Sequence, residues 1–189
     1  MASGFQVRRA VSGDARGIAR VHVETWRSAY AGILPDRVIV QMSVDDKAAA
    51  WRHLIQRQNT IEMVLVAVTG DGMIAGFASC GPAGPASMPE YDGEIHTLYV
   101  LPDWQEQGIG RALLCGCLRW LAAANFSAAF LWVLADNPSR FFYEAMAGKR
   151  IGGRDEALWG VLVPEIAYGW RDLSSLPKDC RGIADNAID

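Results

Sequence analysis

E-I-H-T-L-Y-V-L-P-D-W-Q-E-Q-G-I-G-R-A-L-L, residues 94–114, is the stretch whose reading decides the fold. Its first half predicts a strand, because Ile95, Leu98, Tyr99 and Val100 supply β-branched, aromatic and aliphatic bulk. Pro102 and Asp103 stop that strand. Gln105 to Gly110 then spells Q-x-x-G-x-G, and the following residues predict a helix with Leu114, Cys117, Leu118 and Leu121 on one face. A strand, a glycine-bearing loop and a helix N-terminus together form a device for anions. Gly108 and Gly110 lack a Cβ, so a ligand can approach the backbone closely. The first N–H groups of a helix have no internal partner, and its dipole adds partial positive charge there. A pyrophosphate is the natural guest.

Two familiar pyrophosphate loops do not fit. A Walker-type loop needs G-x-x-x-x-G-K-[S/T], but Arg111 and Ala112 follow Gly110. A dinucleotide fingerprint needs a small residue three places after Gly110, where Leu113 stands. The stretch instead resembles the coenzyme A loop of the GNAT superfamily of N-acetyltransferases, [Q/R]-x-x-G-x-[G/A] directly after a strand. The L-Y-V-x-P run and the helix that follows strengthen the likeness. The plainer reading is an ordinary glycine turn between strand and helix.

Composition bounds the rest. The chain has 189 residues, half of them hydrophobic, which predicts one domain with a sizeable core. A net charge of −3 and a pI near 5.6 give no electrostatic case for nucleic acid or an anionic membrane. No run has the apolar length of a membrane span, and the N-terminus lacks a signal peptide's apolar segment, so a cytoplasmic protein is expected. Cys80, Cys115, Cys117 and Cys180 show no metal-ligand spacing; no metal and four free thiols are expected.

Along the chain, Phe5 to Arg9 predicts a first strand. Ser12 is placed to cap a helix carrying Ala15, Ile18, His22 and Thr25 and ending near Trp26 and Tyr30, before Gly32 and Pro35 break the pattern. His22 reads as an interior or surface histidine rather than a catalyst. Ala48, Trp51, Leu54 and Ile55 mark a second helix. Met63 to Val68 and Met73 to Ser79 form a meander about Gly70-Asp71-Gly72, and a Pro- and Gly-bearing loop, 81–92, leads to Glu94. Ala128 to Leu134 predicts another buried strand. Asn137 and Pro138 suit the start of a short helix with Phe141, Phe142, Tyr143 and Met146, and Gly148 suits its end. Closing strands are expected at Lys149–Arg154 and Glu165–Trp170. With these elements the resemblance implies an α/β fold: a mixed, mostly antiparallel central sheet with a parallel central pair and helices on both faces. Residues 1–172 are expected to form the single domain, and 173–189 a loosely held polar tail.

Two further segments are similar to the same family. N-P-S-R-F-F-Y-E-A-M-A-G, residues 137–148, resembles N-x-x-[A/S]-x-x-F-Y-E-x-x-G-F, departing where Lys149-Arg150 replaces the final phenylalanine. Residues 21–35 resemble the helix and loop that border the family's acceptor site, which implies an acceptor wall for Trp26 and Tyr30; core packing is the alternative. The resemblance implies an acetyl-CoA co-substrate whose pyrophosphate lies on the backbone of Gln105, Glu106, Gln107, Gly108, Ile109, Gly110 and Arg111. It implies that the pantetheine arm pairs with Leu98, Tyr99 and Val100 like an added strand, and that Asn137 bonds the arm, unless its side chain only caps its own helix. Arg111 is either a phosphate contact or a solvated helix arginine.

The implied activity is acetyl transfer to a primary amine by direct attack within a ternary complex. Glu94 and His96, two apart on a strand, project to one face and are the candidate base or water-holder. Tyr143 matches the family tyrosine that assists the leaving thiol; core filler is its other reading. The acceptor is a small-molecule or peptide amine of open identity, and a homodimer is compatible with the family, with Trp159, Tyr168 and Trp170 as interface or core. A transferase for another acyl-CoA and a non-catalytic acyl-CoA sensor are the rival readings.

Overall fold

The computed structural model describes residues 4–30, 40–56, 61–85, 88–158 and 160–180. Seven strands form one sheet: β1 (Phe5–Arg9), β2 (Met63–Thr69), β3 (Ile74–Pro82), β4 (Gly93–Val100), β5 (Ala129–Leu134), β6 (Lys149–Leu158) and β7 (Val161–Trp170). Their spatial order is β1-β2-β3-β4-β5-β7-β6, and every pairing is antiparallel except β4 with β5. Among the described residues, four α-helices flank it: α1 (Ala15–Ala29), α2 (Val44–Gln56), α3 (Ile109–Ala123) and α4 (Arg140–Ala145).

The sheet is covered on both faces, as its apolar strands require. On one face α3 lays Ile109, Leu113, Leu114, Leu118 and Leu121 against a core that includes Leu65, Ala78, Ile95, Leu131 and Tyr168. Each fully buried leucine contributes roughly 1.5–3 kcal/mol, which fixes the helix, and with it the glycine loop, against β4. On the other face α1 and α2 pack Ile18, Trp51 and Ile55 onto Val64, Val66 and Phe77. His22 is an interior residue there. Its Nδ1 accepts from Trp51 Nε1 at 3.2 Å, and burial, with Lys47 nearby, lowers its pKa to about 4. Ser12 does not cap α1. It begins a 3-10 turn, and Asp14 accepts from Val11 N–H at 2.8 Å and from the Arg8 guanidinium.

The central parallel pair is short. Only Gly93↔Ala129 and Glu94↔Phe130 are in register; beyond them β4 stays with β3 and β5 stays with β7. The register of β3 on β4 steps from Cys80↔Ile95 to Ser79↔Thr97, leaving His96 as the extra residue of a bulge. A bulge bends its strand and increases the local twist. The two inner edges, Ile95 to Val100 and Leu131 to Leu134, thus face each other across a wedge.

The thiols differ from expectation. Cys115 and Cys180 form a disulfide, while Cys80 and Cys117 are free and buried. The spacing of these cysteines carried no hint of the link because it joins a core helix to a segment 65 residues later. That segment is not loosely held through Cys180: Leu173 and Cys180 are buried in the α3-side core, and Arg119 donates to the Cys180 carbonyl. Tyr168 and Trp170 are core residues. Trp159, the Gly32–Pro35 break and residues 181–189 lie outside the described residues.

A cross-link over this span should stabilise the fold by about 4 kcal/mol through the unfolded chain's entropy. Cys180→Ser is therefore expected to lower the urea midpoint strongly, and to match the wild type once the latter is reduced. Equal midpoints for oxidised wild type and variant would refute a structural role for the link.

Candidate active site

The wedge between β4 and β5 opens into a cavity of about 1100 Å³ that passes from the α3 face of the sheet to the α1 face. The glycine loop, α4 and the inner edges of both strands line one end; Tyr30, His96, Thr97 and Trp132 line the other.

At the first end, side chains hold the loop in shape. Gln105 Nε2 donates to the Val100 carbonyl at 3.1 Å, and Gln107 Nε2 donates to the Asp103 carbonyl at 2.9 Å. Gly108 sits at the N-cap of α3 with φ +88°, and Glu106 also has positive φ, +59°. The Gln105 N–H is spent on the Pro102 carbonyl, so the free cradle starts one residue later than the sequence motif suggests. The N–H groups of Ile109, Gly110 and Arg111 precede the first α3 hydrogen bond, from Ala112 to Gly108. A Cβ on Gly110 would stand 3.5 Å from the Phe142 ring, an ordinary contact, so α4 lies directly beside the loop. Donors without partners, a helix dipole and close backbone access fit a pyrophosphate.

At the other end the bulge matters. Ile95, Leu98 and Val100 all belong to the α3-side core, so strict alternation fails between residues 95 and 98. Glu94 and His96 do come together, with Oε2 4.0 Å from His96 Nδ1, but through the bulge and not by period-two geometry alone. The Glu94 carboxylate also accepts the Gly84 N–H at 2.9 Å, so the Pro- and Gly-bearing loop serves to orient it.

Tyr143 is buried beside the wedge, its ring edge-on to Phe142 at 5.2 Å. Its hydroxyl makes no hydrogen bond among the described residues, and burial, with Tyr99 nearby, pushes its pKa up, so it stays protonated. Asn137 and Arg111 line the cavity. Asn137 does not cap α4 directly: Oδ1 accepts the Ser139 N–H at 2.9 Å, closing a turn ahead of the helix. Tyr30 lines the cavity, while Trp26 backs it with ring centroids 4.6 Å apart; both pack on Leu134 and Val163. Burial raises the pKa of the neighbouring Tyr99. Leu98, Tyr99 and Val100 line the wedge along β4.

Sequence reasoning missed Glu165 and Arg154. They face each other across β6 and β7, with Arg154 Nε and Nη2 each 2.8 Å from Glu165 Oε2. Burial pushes the Glu165 carboxyl up despite Arg154. No local pattern marks these residues, because only the return of β7 beside β5 sets Glu165 opposite Leu134, on which the cavity-lining Tyr30 packs.

The profile of the acetyltransferase (GNAT) family matches residues 23–148. The chain belongs to this family. It is 36% identical over 170 residues, 90% of this chain and 95% of the relative, to an uncharacterized N-acetyltransferase, YuaI, of Bacillus subtilis (strain 168). Among solved structures, YncA of Salmonella typhimurium, with its cofactor acetyl-CoA, superposes with a TM-score of 0.68 at 19% identity, covering 90% of this chain and 95% of that one. The PaiA N-acetyltransferase of Thermoplasma acidophilum in complex with coenzyme A gives 0.63 at 20%, covering 86% and 97%. At such identities these two likenesses speak for the GNAT fold alone. Among the described residues no helix is long and apolar enough to cross a membrane, and no group of His, Cys, Asp and Glu is arranged to hold a metal ion.

Gly108→Val forces a branched residue into left-handed backbone, at a cost of about 1–3 kcal/mol. Calorimetric titration should show acetyl-CoA binding at least tenfold weaker. Gly110→Ala, whose Cβ meets Phe142 at ordinary contact distance, should keep the fold and still weaken binding. Wild-type affinity in both folded variants would remove the loop from the cofactor site.

Proposed function

We propose that this GNAT protein transfers the acetyl group of acetyl-CoA to a primary amine of a small molecule or peptide, by direct attack while both substrates are bound. The carrying observation is the single cavity that joins the glycine loop to the α1 face through the β4–β5 wedge. A donor held on one side of the sheet and an acceptor on the other meet within it, which supplies proximity without a covalent enzyme intermediate.

The backbone from Glu106 through Arg111 holds the pyrophosphate, with Arg111 beside it. The free edge of β4 at Leu98, Tyr99 and Val100 takes the pantetheine arm as an added strand, and the same edge offers an N–H to the thioester oxygen as charge develops there. Asn137 stands along the arm's path. Trp26 and Tyr30 form the acceptor wall.

An alkyl ammonium has a pKa near 10.4, so it must lose a proton before attack at neutral pH. Glu94, oriented by the Gly84 N–H, accepts that proton directly or through a water, with His96 as its neighbour in the relay. Tyr143, protonated and without another partner among the described residues, donates to the departing sulfur. The reaction is assigned to the cytoplasm. There the Cys115–Cys180 link is an uncommon disulfide, shielded by burial of both residues from a reducing solvent.

Tyr143→Phe tests the reading. It keeps the ring's volume and removes one oxygen that has no described partner, so the melting point should hold. General acid help is worth about a hundred- to ten-thousandfold, so kcat, read as released thiol, should fall into that range with acetyl-CoA affinity little changed. Normal turnover with a lower melting point would make Tyr143 core filler. Glu94→Gln should lower kcat/KM and move its rise to higher pH; an unchanged profile with saturating amine would leave Glu94 a structural strand end.

A further inference from the structure

One residue that lines the cavity comes from the segment expected to be a loose tail. Asp179 borders the same cavity as Arg111, Phe142, Ala145 and Met146. An exposed polar turn is normally free to wander, but this one is held in place. The Cys180 N–H donates to the Pro177 carbonyl at 2.9 Å and closes the turn. The Cys115–Cys180 disulfide ties it to α3 with Cα atoms 5.2 Å apart, and Arg119 donates to the Cys180 carbonyl. Leu173 and Leu176 pack the chain leading to it into the α3-side core. Cys115 lies about one and a half turns down α3 from Gly110, so the disulfide sets Asp179 near the loop proposed to take the pyrophosphate.

The groups gathered there suit a purine. Arg111 turns Nη2 back toward Gly108, 3.8 Å from where a Cβ on that glycine would stand. It does not pair with Asp179, whose carboxylate has no hydrogen bond or ion pair among the described residues. The guanidinium is thus left for a phosphate and the carboxylate for a donor. Phe142, Ala145 and Met146 give the cavity an apolar wall on α4 and just past its end. Flat bases stack on aromatic and apolar side chains, and a carboxylate, which only accepts, suits a base's exocyclic amine. Adenine, the base of coenzyme A, carries such an amine. Building on the acetyl-CoA reading above, we propose that Asp179 selects the coenzyme's base, its carboxylate accepting a hydrogen bond from the exocyclic amine of the adenine.

Calorimetric titration of the full, oxidised chain with coenzyme A and with 1,N6-ethenocoenzyme A tests this. The etheno bridge removes both N–H groups of that amine and keeps the ribose, phosphates and thiol. The wild type should bind coenzyme A about tenfold more tightly than the analogue, the scale of one hydrogen bond to a charged group. Asp179→Ala should bind coenzyme A about tenfold more weakly and the analogue as the wild type does, closing the gap. Asp179 is exposed, so the variant's melting point should hold. Asp179→Asn, whose carbonyl still accepts, should fall between the two, and it carries the test should the alanine variant fail to fold.

Equal wild-type affinities for the two ligands overturn the role of the amine. A gap that persists in the folded alanine variant overturns Asp179 as its partner. Tighter binding of both ligands by that variant makes the carboxylate a phosphate repellent and overturns the inference as well. Failure of both ligands to bind the wild type overturns the coenzyme reading, and this inference with it. Discrimination between the ligands without turnover of any amine leaves this inference standing and counts against acetyl transfer alone.

Discussion

The site depends on where β4 and β5 stop pairing. Parallel strands at the centre of a covered sheet normally run on together, because an unpaired backbone edge inside a protein is costly. Here the ladder ends at Glu94↔Phe130. The bulge at His96 bends β4 while the strand stays bonded to β3, and β5 stays bonded to β7. Most groups given a role in the proposed acetyl transfer line the resulting gap, among them Tyr143, Asn137, Arg111, His96 and Tyr30, while Glu94 lies beside His96. The inner edges of the gap can be satisfied by a ligand of extended, amide-bearing shape, so the lost sheet bonds become binding capacity.

The parts of the site that were legible in the sequence are those built from neighbours in the chain. The strand–loop–helix unit at residues 94–114 is local, and its glycines, its stop at Pro102 and the apolar face of α3 all point the same way. The order of strands and helices was likewise readable from segment patterns, while the parallel central pair came only with the family resemblance. Local inference failed where a single residue shifts the phase. Period-two counting put Glu94 and His96 on one face; they do meet, but the step in register that brings them together leaves no mark in the residues around it. The Gln105 side chain is the loop's tie to Val100, a role the motif conceals by suggesting only backbone donors.

Long-range pairings were not legible at all. Arg154 and Glu165 stand eleven residues apart on neighbouring strands β6 and β7, and the placement of β7 beside β5 follows from topology rather than composition. Cys115 and Cys180 lack any motif, and the polar character of the last segment argued for loose chain. A few apolar anchors outweigh that polarity: Leu173, Leu176 and Cys180 reach the α3-side core, and the disulfide closes the segment onto α3. Average composition over a segment is a poor guide when three side chains carry its attachment.

The two faces of the sheet offer opposite electrostatics to the two proposed substrates. On the α3 side, unpartnered N–H groups and the positive end of a helix dipole favour a polyanion. On the α1 side, the Glu94 carboxylate stands 4.0 Å from the cavity-lining His96 and offers a place for a cation. An acceptor cation that entered from the α3 side would meet the helix dipole, and a polyanion entering from the α1 side would meet the Glu94 carboxylate. On the proposed reading, the wedge is where the reactive ends of both substrates meet. There Glu94 would take the proton released by the amine, and Tyr143 would donate to the thiolate.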